Sequence, residues 1–136
     1  MTDRPLVEKR LARIETCVAE LRRDARQDVN AHDVREQRVV EHTLQVAIQS
    51  ALDVASHIVS DRRLGEPRTN AELFDLLTRD SWIAPALAED LRRMAGFRNV
   101  LVHGYDDVDL RVVQDDVTHQ LDDLLPFADA VSRRLG

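Results

Sequence analysis

Four residues in the C-terminal third of the chain have the types and spacing to act on a phosphodiester. They are Arg98, Asn99, His103 and Tyr105, in the run FRNVLVHGYDD from Phe97 to Asp107. An arginine carries a permanent, planar cation that matches phosphate oxygens. A histidine titrates near neutrality and can give or take a proton. Asn99 and His103 are four apart, on one face of a helix, where the amide can hydrogen-bond and orient the imidazole. Together these are the parts of RNA cleavage without a metal. Tyr105 follows Gly104, which loosens the helix end and leaves the phenol just past it.

Arg98 stands in an awkward place. On a wheel of about 100° per residue, Leu87, Leu91, Met94 and Leu101 share one narrow sector, and Arg98 falls in its middle. An unpaired guanidinium in a dry core costs several kcal/mol, so Arg98 must snorkel, pair with a carboxylate, or line a wet cleft. Arg98 and His103 also diverge by about 140° and ~7.5 Å of rise on an ideal helix. One helix therefore aims both at one phosphate only with help from arginine's length or the Gly104 break. Two copies of the motif converge on one cleft more naturally across a two-fold axis. The expected assembly is a homodimer built on the second and fourth helices, with Arg98 facing a cleft beside the partner.

The elements that must position these residues are helices. Apolar residues recur at three- and four-residue spacing, predicting a first helix over about residues 5–28 with Val7, Leu11, Ile14, Val18 and Leu21 facing the core. The second, about 32–64, carries Val40, Leu44, Ala47, Ile48, Ala51, Ala55, Ile58 and Val59, and the Gly65-Glu66-Pro67 turn ends it. A short third helix begins after Thr69 or Asn70 as N-cap, with Leu73, Phe74, Leu76 and Leu77 as its packing residues. The fourth spans about 85–103. The fifth spans about 108–134, with Leu110, Val113, Val117, Leu121, Leu124 and Leu125. The expected fold is all-α, an up-and-down bundle of about five helices forming a single domain over residues 1–136.

Composition agrees. Four glycines, four prolines, 4% aromatic and 32% charged residues favour helices over sheets. The single cysteine, Cys17, has no internal disulfide partner and sits beside the first apolar stripe as a packed thiol. No apolar run of about 18 residues spans a membrane and the charged start is unlike a signal peptide, so the expected location is the cytoplasm. A net charge of −6 argues against a broad basic surface for nucleic acid; RNA contact must be local.

The other polar residues carry weaker signals. Asp53 and His57 are four apart on the second helix, off its main stripe. Two ligands do not make a zinc site, and a structural carboxylate–histidine pair or support for the dimer cleft fits better. No metal site and no cofactor are expected. His32, His42 and His119 read as surface residues, and Trp82 as a seal on the core. The pairs Arg92–Arg93 and Arg133–Arg134 read as solvated charge, with local attraction for RNA as the other reading.

The run from Arg98 to Tyr105, arginine then four residues then histidine, with tyrosine two places later, resembles the signature of the HEPN superfamily. It is similar to the HepT toxin family in particular. QVAIQSALDVASHIV in the second helix, GEP, a short helix and LRRMAGFRNVLVHGYDD before a last amphipathic helix extend the similarity over nearly the whole chain. The resemblance implies a homodimeric, metal-independent endoribonuclease toxin of a type VII-like toxin–antitoxin pair. Its partner would be a minimal nucleotidyltransferase antitoxin that transfers AMP to the tyrosine. Arg98 and His103 would be catalytic, Asn99 supporting, and Tyr105 the acceptor of AMP. Two other readings stay open: a non-catalytic helical adaptor serving a nucleotidyltransferase, and a structural dimer with a regulatory tyrosine.

Overall fold

A computed structural model describes residues 3–26, 34–103 and 110–135; side-chain positions within the helices are described outside 24–26, 34–38, 40, 97–103 and 110–121. The elements are α1 (Arg4–Arg26), α2 (Val34–Asp61), α3 (Asn70–Arg79), α4 (Pro85–His103) and α5 (Leu110–Leu135). The expected all-α bundle is what forms.

α1 starts where Asp3 caps it: the Asp3 carboxylate accepts the Leu6 N–H at 3.2 Å, and Pro5 has the φ a first turn requires. Its stripe of Val7, Leu11, Ile14, Val18 and Leu21 is buried as the spacing predicts. α2 is the central helix and packs against all four others. Its second half is accordingly buried on most sides, with Leu52 and Val54 joining the expected Ala47, Ile48, Ala51, Ala55, Ile58 and Val59, while Ser56 and Ser60 stay exposed. Ser50 is the one buried polar residue among those described, and its hydroxyl is satisfied by the Val46 carbonyl at 2.8 Å.

The end of α2 differs from expectation. The helix stops at Asp61 rather than near Leu64, because Arg63 turns into the left-handed region at φ 53°. The Leu64 N–H then reaches the Val59 carbonyl and the Arg63 N–H the Ser60 carbonyl, the paired bonds of a Schellman stop. α3 ends the same way: Ser81 has φ 63°, Trp82 N–H bonds the Leu77 carbonyl and Ser81 N–H the Thr78 carbonyl. At its start Thr69 is the N-cap, its hydroxyl accepting the Glu72 N–H at 3.3 Å.

Three contacts between helix ends and neighbouring helices accompany the up-and-down order. Asp3 at the start of α1 meets His57 near the end of α2. Arg92 of α4 pairs with Asp75 of α3. Arg134, at the end of α5, binds both the backbone carbonyl and the carboxylate of Asp80, just before α4. Inside, Phe74 and Phe127 meet edge to face at 5.9 Å, and Leu124, Ala128 and Val131 carry α5 into the core. Among the described residues no helix is long and apolar enough to cross a membrane.

Candidate functional site

α4 is the element that positions the Arg98–His103 motif. Pro85 opens it, the Ala88 N–H reaches back to the Ala84 carbonyl, and Ala88, Leu91, Met94 and Ala95 are buried against α2, α3 and α5. With Leu91 and Met94 both fully enclosed, the rotation of the helix about its axis is fixed. Position 98 lies seven residues after Leu91 and four after Met94, on the same face, and the helix continues unbroken to His103. The side chains of Arg98, Asn99 and His103 lie outside the described set, and Tyr105 lies outside the described residues. Gly96, just before the motif, is exposed, and a Cβ built there meets nothing within 4 Å.

The other arginines singled out in the sequence are engaged. Arg92 binds Asp75 at 2.9 Å, Arg93 spans Glu89 and Asp90, and Arg133 binds Asp129 at 2.7 Å. Arg134 holds Asp80 and lies over the Trp82 ring at 4.6 Å, with Arg62 at 5.2 Å. Each of the paired arginines thus has a carboxylate partner, with Arg93 and Arg133 largely solvated. Trp82 is buried and donates its indole N–H to Asp80 at 2.9 Å, so it seals the base of the bundle as expected.

Asp53 and His57 do not pair with each other. The Gln49 amide donates to Asp53 at 2.8 Å, and the Asp3 backbone N–H donates to His57 Nε2 at 3.0 Å. Helical spacing brings such residues within reach, but each finds a better-aligned partner one turn away or on α1. Both line a shallow groove on the outer side of α2, with Arg10, Ser56 and Ser60. Sequence reasoning overlooked this groove. Its signal was present in the polar stripe Gln49, Asp53, Ser56, Ser60, which recurs at helical spacing opposite the apolar one.

Among the described residues, no group of three His, Cys, Asp or Glu side chains is placed to hold a metal ion. Cys17 is buried, and its thiol pKa is raised by that burial and then by Glu20, against a smaller opposing effect of Arg13. It is an inert packing residue. His42 is exposed, His32 lies outside the described residues, and the His119 side chain lies outside the described set.

The profile of the ribonuclease HepT-like family matches residues 7–131. The mRNA nuclease HepT of Shewanella oneidensis is 34% identical over 88 residues, 65% of this chain and 66% of that protein. The tRNA nuclease HepT of Aphanizomenon flos-aquae is 39% identical over 74 residues, 54% of this chain and 50% of that protein. The aligned stretches thus span between half and two thirds of these relatives. A solved structure of the tri-AMPylated Shewanella oneidensis HEPN toxin in complex with its MNT antitoxin superposes with a TM-score of 0.85 at 29% identity, covering 98% of this chain and 99% of that one.

Proposed function

This chain belongs to the ribonuclease HepT-like family, and from that premise we propose that it is a metal-independent endoribonuclease toxin acting as a homodimer. The observation that carries the reading is the motif Arg98-x4-His103-x-Tyr105, whose position 98 follows Leu91 and Met94 on the face of α4 that they lock in place. Past Met94 that apolar face continues into a cation, which suits a wet cleft between two copies better than a closed core.

In the mechanism, Arg98 binds the non-bridging oxygens of the scissile phosphate and stabilises the charge that grows there. The ribose 2′-oxygen bonds to phosphorus as its proton passes to a neutral His103. The bond to the 5′-oxygen breaks, and that oxygen receives a proton from a charged imidazole, the same His103 or the second copy's equivalent. The products are a cyclic phosphate and a free 5′-hydroxyl. Asn99 orients the imidazole. The antitoxin is a minimal nucleotidyltransferase. It transfers AMP from ATP to the Tyr105 hydroxyl with release of pyrophosphate, setting a bulky anion against the cations of the motif. The setting is the cytoplasm, with RNA as substrate.

Induced expression with and without the neighbouring nucleotidyltransferase gene, followed by mapping of RNA ends, tests the reading. Wild type alone should arrest growth and create new ends, Arg98→Ala and His103→Ala should do neither, and cleavage by the purified protein should survive EDTA. Activity that EDTA removes and magnesium restores would overturn the mechanism. A harmless wild type that still binds the nucleotidyltransferase would make the chain an adaptor instead.

A further inference from the structure

Two shallow depressions on the outer side of α2 meet at Asp53 and Ser56, which line both. One, of about 360 Å³, lies between the start of α1 and the end of α2, with Arg10, His57 and Ser60 along it. The other, of about 250 Å³, continues to the start of α3, with Gln49, Arg68 and Asn70. From Gln49 to Ser60 the joined groove follows α2 for about 16 Å.

Its described lining carries two arginines against one carboxylate. The chain as a whole carries −6, and many of its described arginines are held by carboxylates. Arg10 and Arg68, one in each depression, have no ion pair or side-chain hydrogen bond among the described residues. His57 accepts the Asp3 N–H through Nε2. The one carboxylate among the described lining residues, Asp53, already takes the Gln49 amide. Glu72, at the foot of the Arg68 side, is engaged by the Arg68 backbone N–H at 2.7 Å. Donors and cations exceed acceptors along an open, elongated track. Its described lining holds no Phe, Tyr or Trp on which a base would stack.

We propose that this groove binds the sugar–phosphate backbone of single-stranded RNA, with Arg10 and Arg68 as phosphate ligands, supplementing the motif on α4. The proposal rests on the ribonuclease reading for its choice of nucleic acid. The contact is to the backbone and carries no base preference of its own.

The test is fluorescence anisotropy of the full-length protein with a labelled 2′-O-methyl oligonucleotide of roughly 12 nucleotides, a length within single-strand site sizes. Such a probe binds without being cleaved. Arg10→Ala with Arg68→Ala should weaken binding roughly tenfold at low salt and lower the slope of log affinity against log salt by about 0.7 for each lost phosphate contact. The double lysine variant should restore the slope. Asp53→Asn should tighten binding severalfold, a gain that damage to the fold would not produce. An unchanged slope in the double alanine variant, or absence of RNA binding by wild type, overturns the groove whether or not the protein cleaves RNA. If wild type fails to cleave yet the slope falls in the variant, the groove stands and the ribonuclease reading falls. A double variant that binds RNA normally but no longer captures the nucleotidyltransferase makes the groove a protein-docking surface and overturns the proposal.

Discussion

Arg92 of α4 reaches across to Asp75 of α3, Nη1 to Oδ1 at 2.9 Å, closing the outer side of the helix pair next to the motif. Both side chains are more than a third exposed, at 43% and 37%. Such a pair stabilises a fold by at most about 1 kcal/mol. Arg92→Ala should therefore shift the urea unfolding midpoint only slightly and leave affinity for the 2′-O-methyl oligonucleotide at the wild-type level. A clear loss of RNA affinity would place Arg92 on the binding surface.

Gly96 lies inside α4 with open space where a side chain would begin. Glycine in a helix interior costs about 0.5–1 kcal/mol relative to alanine. Gly96→Ala should raise unfolding free energy by about that amount, read from denaturant titration, with the proposed homodimer intact by light scattering. A variant that becomes monomeric would identify Gly96 as the point where the two copies of α4 approach.

For Tyr105 the expected result is a separation of activities. Tyr105→Phe should keep cleavage and growth arrest but escape silencing by the nucleotidyltransferase, and mass spectrometry should find AMP on the tyrosine peptide of wild type only. Silencing of the phenylalanine variant as complete as that of wild type, with no adduct, would replace AMP transfer by steric masking.

Burial raises the Cys17 pKa, so the fold favours the protonated thiol. The sign follows: its contribution to stability is full below the pKa of the unfolded thiol and declines as pH rises toward the folded value. The native protein should resist a thiol reagent at mildly alkaline pH and react only once unfolded. Cys17→Ala should lose less stability between neutral and alkaline pH than wild type, by comparison of urea midpoints. Rapid modification of the native thiol would show that α1 opens locally.

The helices were legible because their apolar stripes obey one period: Val7 to Leu21 on α1 and Leu73 to Leu77 on α3 are buried as spacing requires. Two features escaped that reading. The stop of α2 rests on Arg63 in left-handed backbone, a state that sequence assigns to glycine, so Gly65 drew the boundary three residues too far. Asp53 and His57 were matched to each other by spacing, yet their partners are Gln49 and the Asp3 backbone, and a contact 54 residues distant leaves no periodic trace. At the motif the chemistry proposed for Arg98 and His103 rests on residue types alone, since their side chains lie outside the described set, and the proposed cleft involves a second chain.

Trp82 is the chain's sole tryptophan, buried at 3% exposure with the guanidinium groups of Arg62 and Arg134 over its ring. That gives the protein a built-in optical reporter. Excited selectively, the indole emits from one place, the junction where the ends of α2 and α5 meet the turn before α4. Its emission colour reports on the surroundings of that junction. Each variant above thus comes with a label-free control: unchanged emission certifies an intact base of the bundle before any loss of activity is assigned to chemistry.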